Sequence, residues 1–166
     1  MKKIFIAIAV AGFGMSAARA DEGKNDKNVS KADQKFMEQT AIAGMSEVAL
    51  SKVAAEKGTS EKVKTFAQHM IDDHTKAGEE LKALAGQKSV TLPVDLDVAH
   101  KQAQAKLEKL NGAAFDKEYM KVMKADHEKV VASFKKESKS AGDADLKDWV
   151  TKTLPTLQAH LDMTKS

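Results

Sequence analysis

The chain has 166 residues, two prolines and no cysteine, which excludes a disulfide framework, thiolate metal sites, covalent c-type haem and a lipidated N-terminus. Its formal charge of +3 includes Lys2, Lys3 and Arg19 of an N-terminal segment that reads as removable; without them 24 basic residues face 24 acidic ones, a balance that argues against nucleic-acid binding or a strongly electrostatic membrane contact. Abundant Ala, Lys, Glu and Leu with few β-branched runs point to an all-α fold.

Residues Met1 to Ala20 have the layout of a secretory signal peptide. Lys2 and Lys3 form a charged start, Ile4 to Met15 an apolar run, and Ala18-Arg19-Ala20 a cleavage site before Asp21. The expected location is therefore the periplasm, with no integral membrane segment after cleavage. Residues 21–32 read as a flexible leader, beginning with the charged, non-periodic Asp21 to Asn28, and residues 33–166 as one helical domain.

Ser30-Lys31-Ala32-Asp33 opens the first helix, with Ser30 to cap it, and Gly58 stops it. Phe36, Ala43, Glu47, Leu50 and Ala54 share one face at three-and-four spacing. A second helix starts at the capping pair Thr59-Ser60, carries Val63, Phe66, Met70, His74, Ala77, Leu81 and Leu84 on its stripe, and stops at Gly86. So short a link folds the two into an antiparallel hairpin.

Gln87 to Asp95, with Pro93, reads as a loop. A shorter helix from about Asp97 to Leu110 turns Ala99, Ala103, Leu107 and Leu110 inward and ends at Asn111-Gly112. The fourth, Ala113 to Ser140, aligns Phe115, Tyr119, Met123, His127, Val130 and Phe134. Gly142-Asp143 breaks it and caps the last, whose stripe is Leu146, Val150, Thr153, Leu157, His160 and Thr164, flanked by Trp149 and Leu161. Pro155 lies inside this helix and should swing the turn bearing His160 relative to the one bearing Trp149.

Two long hairpins joined by a crossover with a short helix make a ferritin-like antiparallel four-helix bundle. The phrase Met-x-x-Asp-His-x-Lys occurs twice, at Met70 to Lys76 and Met123 to Lys129, and suggests related helices facing each other. The stretches Phe66-Ala67-Gln68-His69-Met70-Ile71-Asp72-Asp73-His74, Phe115-Asp116-Lys117-Glu118-Tyr119 with Asp126-His127, and Leu154-Pro155-Thr156-Leu157-Gln158-Ala159-His160-Leu161 closely resemble an exported bacterial domain-of-unknown-function family of the ferritin-like superfamily. Its members are often labelled outer membrane or periplasmic proteins. The resemblance spans roughly Lys35 to Met163 and implies a periplasmic helical bundle, without implying a reaction.

Each long helix places one ionisable residue on its inward stripe: Glu47, His74, His127 and His160. Counted from the hairpin turns they lie at similar depth, Glu47 and His74 11 and 16 residues from Gly58, His127 and His160 15 and 18 from Gly142. Three imidazoles and a carboxylate suit one transition metal, copper, zinc, iron or manganese. Asp73 and Asp126, about 100° round the helix from their neighbouring histidines, belong behind the ligands or at the surface. Ile71 and Leu157 stand where a di-iron site needs the first residue of Glu-x-x-His, which speaks against a di-iron oxidase and iron storage.

Met70, Met123 and Met163 lie three or four residues from a histidine, a pattern that favours Cu(I) if copper is the ion, although methionine also fills helical cores. The same inventory suits non-covalent haem. Without a metal, the four residues would form a core network bonded to one another, to Tyr119 or to water. His69 and His100 read as surface or rim residues.

No catalytic motif stands in a convincing context. The leading function is a non-enzymatic periplasmic bundle, metal-binding or related to envelope stress. One alternative is a metal-dependent oxidase or redox enzyme using the His/Glu layer. The other is a structural module with an envelope protein partner.

Overall fold

The computed structural model describes residues 29–165; the signal-peptide reading and residues 21–28 of the leader lie outside them. The helices are α1 (Lys31–Lys57), α2 (Glu61–Gln87), α3 (Val98–Glu108), α4 (Gly112–Ser140) and α5 (Ala144–Met163). Side chains of Ser30, Ser60, Asp97 and Asp143 accept a backbone N–H of the first turn and so cap α1, α2, α3 and α5. Among the described residues no helix is long and apolar enough to cross a membrane.

Polar clamps fix how the hairpins meet. At one end the Asp116 carboxylate, in the first turns of α4, accepts the backbone N–H groups of Thr59 and Ser60 at 3.0 and 2.9 Å, holding the α1–α2 turn. At the other, Asp33 accepts the N–H groups of Gly142 and Asp143 at 3.1 and 3.0 Å, while the buried Lys88 ammonium joins Asp143 and Asp145 at 2.7 and 2.6 Å. The start of α1, the end of α2, the end of α4 and the start of α5 therefore share one end of the bundle. The direction is up, down, down, up, with the crossover and α3 climbing the full length, the ferritin-like arrangement.

This geometry corrects the counting by depth. The two hairpin turns lie at opposite ends, so distances from Gly58 and Gly142 are not comparable. Measured from the shared end, Glu47 lies 16 residues beyond Lys31, His74 13 before Gln87, His127 13 before Ser140 and His160 16 beyond Ala144. At about 1.5 Å per residue the spread is less than one helical turn.

Other local readings also shift. Ala99 and Ala103 are exposed, because α3 leans on the bundle chiefly through Leu107. On α4 the buried valine is Val131, which continues the four-residue spacing from Phe115, and Val130 is only half-buried. On α5 Trp149 and Leu161 join the core, whereas Thr153 and Thr164 are half-buried. Helix α1 begins at Lys31, two residues before the domain boundary drawn at 33.

Helix α2 passes Gly86 and closes at Ser89, whose φ of 58° is left-handed. There the Val90 N–H reaches the Ala85 carbonyl and the Ser89 N–H the Gly86 carbonyl, a Schellman closure sealed by Val90 against Leu84 and Ala85. Gly112, at φ 58°, opens α4, a conformation that favours glycine.

The core divides into two apolar clusters. One joins Leu50, Val63, Phe66, Met70, Leu107, Phe115, Tyr119 and Met123 near the α1–α2 turn; the other joins Phe36, Met37, Leu81, Val131, Phe134, Trp149, Val150 and Leu157 near the α4–α5 turn. The four ionisable residues lie between them.

Candidate metal centre

Four-residue steps along α2 and α4 carry the stripe from Met70 to His74 and from Met123 to His127, so each histidine follows a buried methionine into the core. His160 comes in from α5, one turn beyond Pro155, and Glu47 from α1, one turn before Leu50 and Ser51. All four are buried: relative exposure is 2% for Glu47, 7% for His74, 0% for His127 and 1% for His160.

The three rings form a nearly equilateral triangle, with centroids 5.5 Å apart for His74 and His127, 5.2 Å for His74 and His160, and 5.4 Å for His127 and His160. Each offers one ring nitrogen to a common point, and these three atoms lie within 4.8 Å of one another. A single ion with metal–nitrogen bonds of about 2.0–2.1 Å fits between them after a small inward turn of the rings.

The outer nitrogen of each ring is engaged. His127 Nδ1 lies 2.9 Å from the Met123 carbonyl, which can only accept, so the proton sits on Nδ1 and Nε2 keeps its lone pair. His160 Nε2 lies 2.9 Å from Asp73 Oδ2, a carboxylate on α2, which leaves its Nδ1 lone pair facing inward. His74 Nδ1 is 3.0 Å from Glu47 Oε2. The inward atoms, His74 Nε2, His127 Nε2 and His160 Nδ1, have no hydrogen-bond partner among the described residues. Three buried nitrogens without partners at one point call for an explanation, since buried polar atoms are normally satisfied.

Burial sets the charge of the layer. It pushes His74 down to about 3, helped by His127 and His160, and His127 down to about 4; His160 is lowered too, against the pull of Asp73. Burial, with the field of Asp126, raises Glu47 to about 8. At neutral pH the layer thus holds neutral imidazoles and a protonated Glu47, and the Glu47–His74 contact is a hydrogen bond within a neutral pair. The carboxyl proton bonds His74 Nδ1 in this form; in the ionised form His74 Nδ1–H donates to the carboxylate and Nε2 is free to ligate.

The structure brings Glu47, His74, His127 and His160 together but gives them different parts. Glu47 stands behind His74, on the far side of the ring from the convergence point, and its Oε1 is 3.5 Å from His127 Nδ1, whose proton is already given to Met123. It orients an imidazole, as carboxylates behind metal-bound histidines commonly do. Met70 and Met123 are fully buried in the cluster on the Phe115 side of the layer, with Met163 packed against it. Tyr119 bonds Ser51 Oγ at 2.8 Å and not the histidines. His69 is exposed, and the half-buried His100 bonds the Asp97 carboxylate.

The Asp73–His160 bond between α2 and α5 is the feature that spacing placed least well; its signal was a carboxylate beside a stripe histidine. Asp126, in the matching position on α4, pairs with Lys129 at 3.4 Å and acts on the layer through its field.

The family model for a domain of unknown function, DUF4142, matches residues 18–166. The chain belongs to the DUF4142 family. Among solved structures, this DUF4142 chain is similar to a DUF305 fragment from Deinococcus radiodurans, with 12% identity, 83% of this chain and 95% of that one covered, and a TM-score of 0.73. It is also similar to CopM in the Cu(I)-bound form, with 17% identity, 80% and 92% coverage, and a TM-score of 0.67. At these identities the likeness establishes the helical-bundle fold. No curated protein matches the chain.

Proposed function

We propose that this DUF4142 protein binds one transition-metal ion through His74, His127 and His160 and acts, without catalysis, in metal handling in the bacterial periplasm. The convergence of three buried, partnerless ring nitrogens carries this reading. Asp73 and the Met123 carbonyl hold His160 and His127 in the tautomers that ligation needs, and Glu47 does the same for His74 once its carboxyl group ionises.

Copper, as Cu(I), is the best chemical fit. An all-imidazole set without an anionic ligand, enclosed by Met70, Met123 and Phe66, suits a soft monovalent ion that loses less hydration on burial than a divalent one. A structural neighbour of the same fold, CopM, was solved with Cu(I). Iron and manganese are less well served, since the nearest carboxylates, Glu47 and Asp73, are turned to imidazoles. Zinc shares the preference for three histidines and is the competitor to exclude.

The test is competitive titration of chelator-stripped protein with Cu(I) and Zn(II). The reading expects one Cu(I) per chain and a loss of at least about 100-fold in affinity for each of His74→Ala, His127→Ala and His160→Ala, a little beyond the range for losing one partner behind a ligand. Binding that survives all three substitutions refutes it.

A further inference from the structure

The triad is closed to solvent. Its three ligand nitrogens are buried, so an ion reaches them only where the bundle parts. Of the residues that hold the rings from behind, Glu47 and Met123 are buried as well, whereas the Asp73 side chain is 45% exposed and bonds His160 Nε2 across the seam between α2 and α5. The groove of about 1010 Å³ between α1 and α2, lined by Gly44 and Gly78, meets the layer at Glu47 and His74, and Glu47 stands on the side of His74 away from the convergence point.

Register along the α2–α5 seam brings two further donors together. The two helices run in opposite directions, and the Asp73–His160 bond fixes which of their residues stand level. From that bond toward the α1–α2 turn, α2 reaches His69 after four residues and α5 reaches Met163 after three, climbs of about 6 and 4.5 Å at a rise of about 1.5 Å per residue. Both residues line one pocket of about 340 Å³, with Glu61, Lys62, Thr65 and Phe66. Phe66 also meets the His160 ring edge-on at 6.4 Å, so the pocket and the triad share a wall. Burial lowers His160, against the pull of Asp73, and His69 lowers it further, which puts the two imidazoles within reach of each other's charge.

The chemistry of the pocket is soft. His69 is exposed and Met163 half-buried, and imidazole with thioether is a donor pair that favours Cu(I) over hard cations. Glu61 is offset by Lys62 on the same lining and lies 3.7 Å from Lys64, so no net negative charge gathers hard cations there.

We propose that His69 and Met163 form an outer Cu(I) site at the α2–α5 seam, from which the ion passes to His160 and the triad. The route rests on the reading of the triad as the copper centre; the outer site is testable without it.

The first experiment follows release of Cu(I) from the loaded full chain to excess bathocuproine disulfonate by the colour of the complex, with equilibrium competition against the same chelator giving the affinity. A group that touches the ion only in passing changes loading and release by the same factor and leaves the affinity alone. His69→Ala and the volume-conserving Met163→Leu are each expected to slow release roughly ten-fold at unchanged affinity, within the span over which rates commonly move among variants of one site. Release at the parental rate in both variants, or a fall in affinity, overturns the route. A parent that takes up no Cu(I) refutes the triad reading instead, and the outer site is then decided by the second experiment. That experiment uses His74→Leu/His127→Leu, which removes two triad ligands, with Ag(I) as a soft ion stable to oxidation, and reads the labelled methyl resonance of Met163, identified by its loss in Met163→Leu. A saturable shift that His69→Ala abolishes is expected. No shift, or one that survives His69→Ala, overturns the outer site.

Discussion

The two halves of the bundle are built from the same four helices but packed to different ends. Around Phe115 and Tyr119 the core is closed: Met70, Phe115, Tyr119 and Met123 are fully buried, and Ser51 satisfies the tyrosine hydroxyl. Around Trp149 it is looser, with Phe36, Leu84 and Trp149 each 8–9% exposed and a groove between α1 and α2. The polar layer lies at the boundary. If the closed half carries more of the stability, side chains removed from it should cost more than side chains removed beside the groove.

The sharpest way to break this comparison is to truncate each half in turn. Phe115→Ala should cost about 3–5 kcal/mol in urea denaturation, whereas Leu84→Ala at the groove end should fall near 2 kcal/mol, the lower bound for leucine. Equal losses would remove the distinction between halves.

Acid and base should act on the layer in opposite senses. His74 and His127 titrate in the fold at about 3 and 4, below their ordinary 6.5, so the unfolded chain takes up protons first and stability falls as pH drops below 6.5. Glu47 titrates at about 8, above its ordinary 4.5, so its contribution is full below 4.5 and is lost as pH rises to 8. Between 4.5 and 6.5 the histidines outnumber the glutamate and stability should climb; from 6.5 to 8 it should decline. Melting temperatures of the metal-free protein across pH 4–9 should therefore peak near 6.5, and His127→Leu should flatten the acid side. That variant should also lie within about 1 kcal/mol of the parent, or above it, because an apolar side chain replaces a polar one with an unsatisfied nitrogen.

Much of this was legible in the sequence, for definite reasons. Glu47, His74, His127 and His160 each interrupt an apolar stripe of period three to four, and the capping residues, with the breaks at Gly58 and Gly142, marked out the four long helices. What stayed hidden depended on contacts between helices. Alanine is too small for the pattern to tell an inward Ala99 or Ala103 from an exposed one. The αL stop at Ser89 depends on Val90 docking against Leu84 and Ala85, which no local propensity signals. Glu47 looked like a ligand because it shares the stripe, but which nitrogen it meets is set by where α1 crosses α2. Asp73 reaches His160 only through the α2–α5 contact.

A smaller effect sharpens the picture of the groove. Gly44→Ala and Gly78→Ala should each stabilise the chain by up to about 1 kcal/mol, since nothing stands in the way of the added methyl. Gly58→Ala should do the reverse, because its Cβ would stand 2.6 Å from the Ala54 carbonyl and 2.9 Å from Val63. Thermal melts of the three variants distinguish glycine kept for space from glycine kept for packing.

Metal binding should also release a proton. At pH 7 Glu47 carries one that bonds His74 Nδ1, and an ion on Nε2 favours the carboxylate form. Calorimetry in buffers of different ionisation enthalpy should find close to one proton released per ion, and close to none in Glu47→Gln.

X-ray absorption at the copper edge of the Cu(I)-loaded protein tests the central claim most directly. Three nitrogen scatterers at about 2 Å with the multiple scattering of imidazole rings, lost in His160→Ala, are the expected result. A shell of sulfur or of carboxylate oxygen, or an imidazole signal that survives the substitution, would place the ion elsewhere and contradict the account.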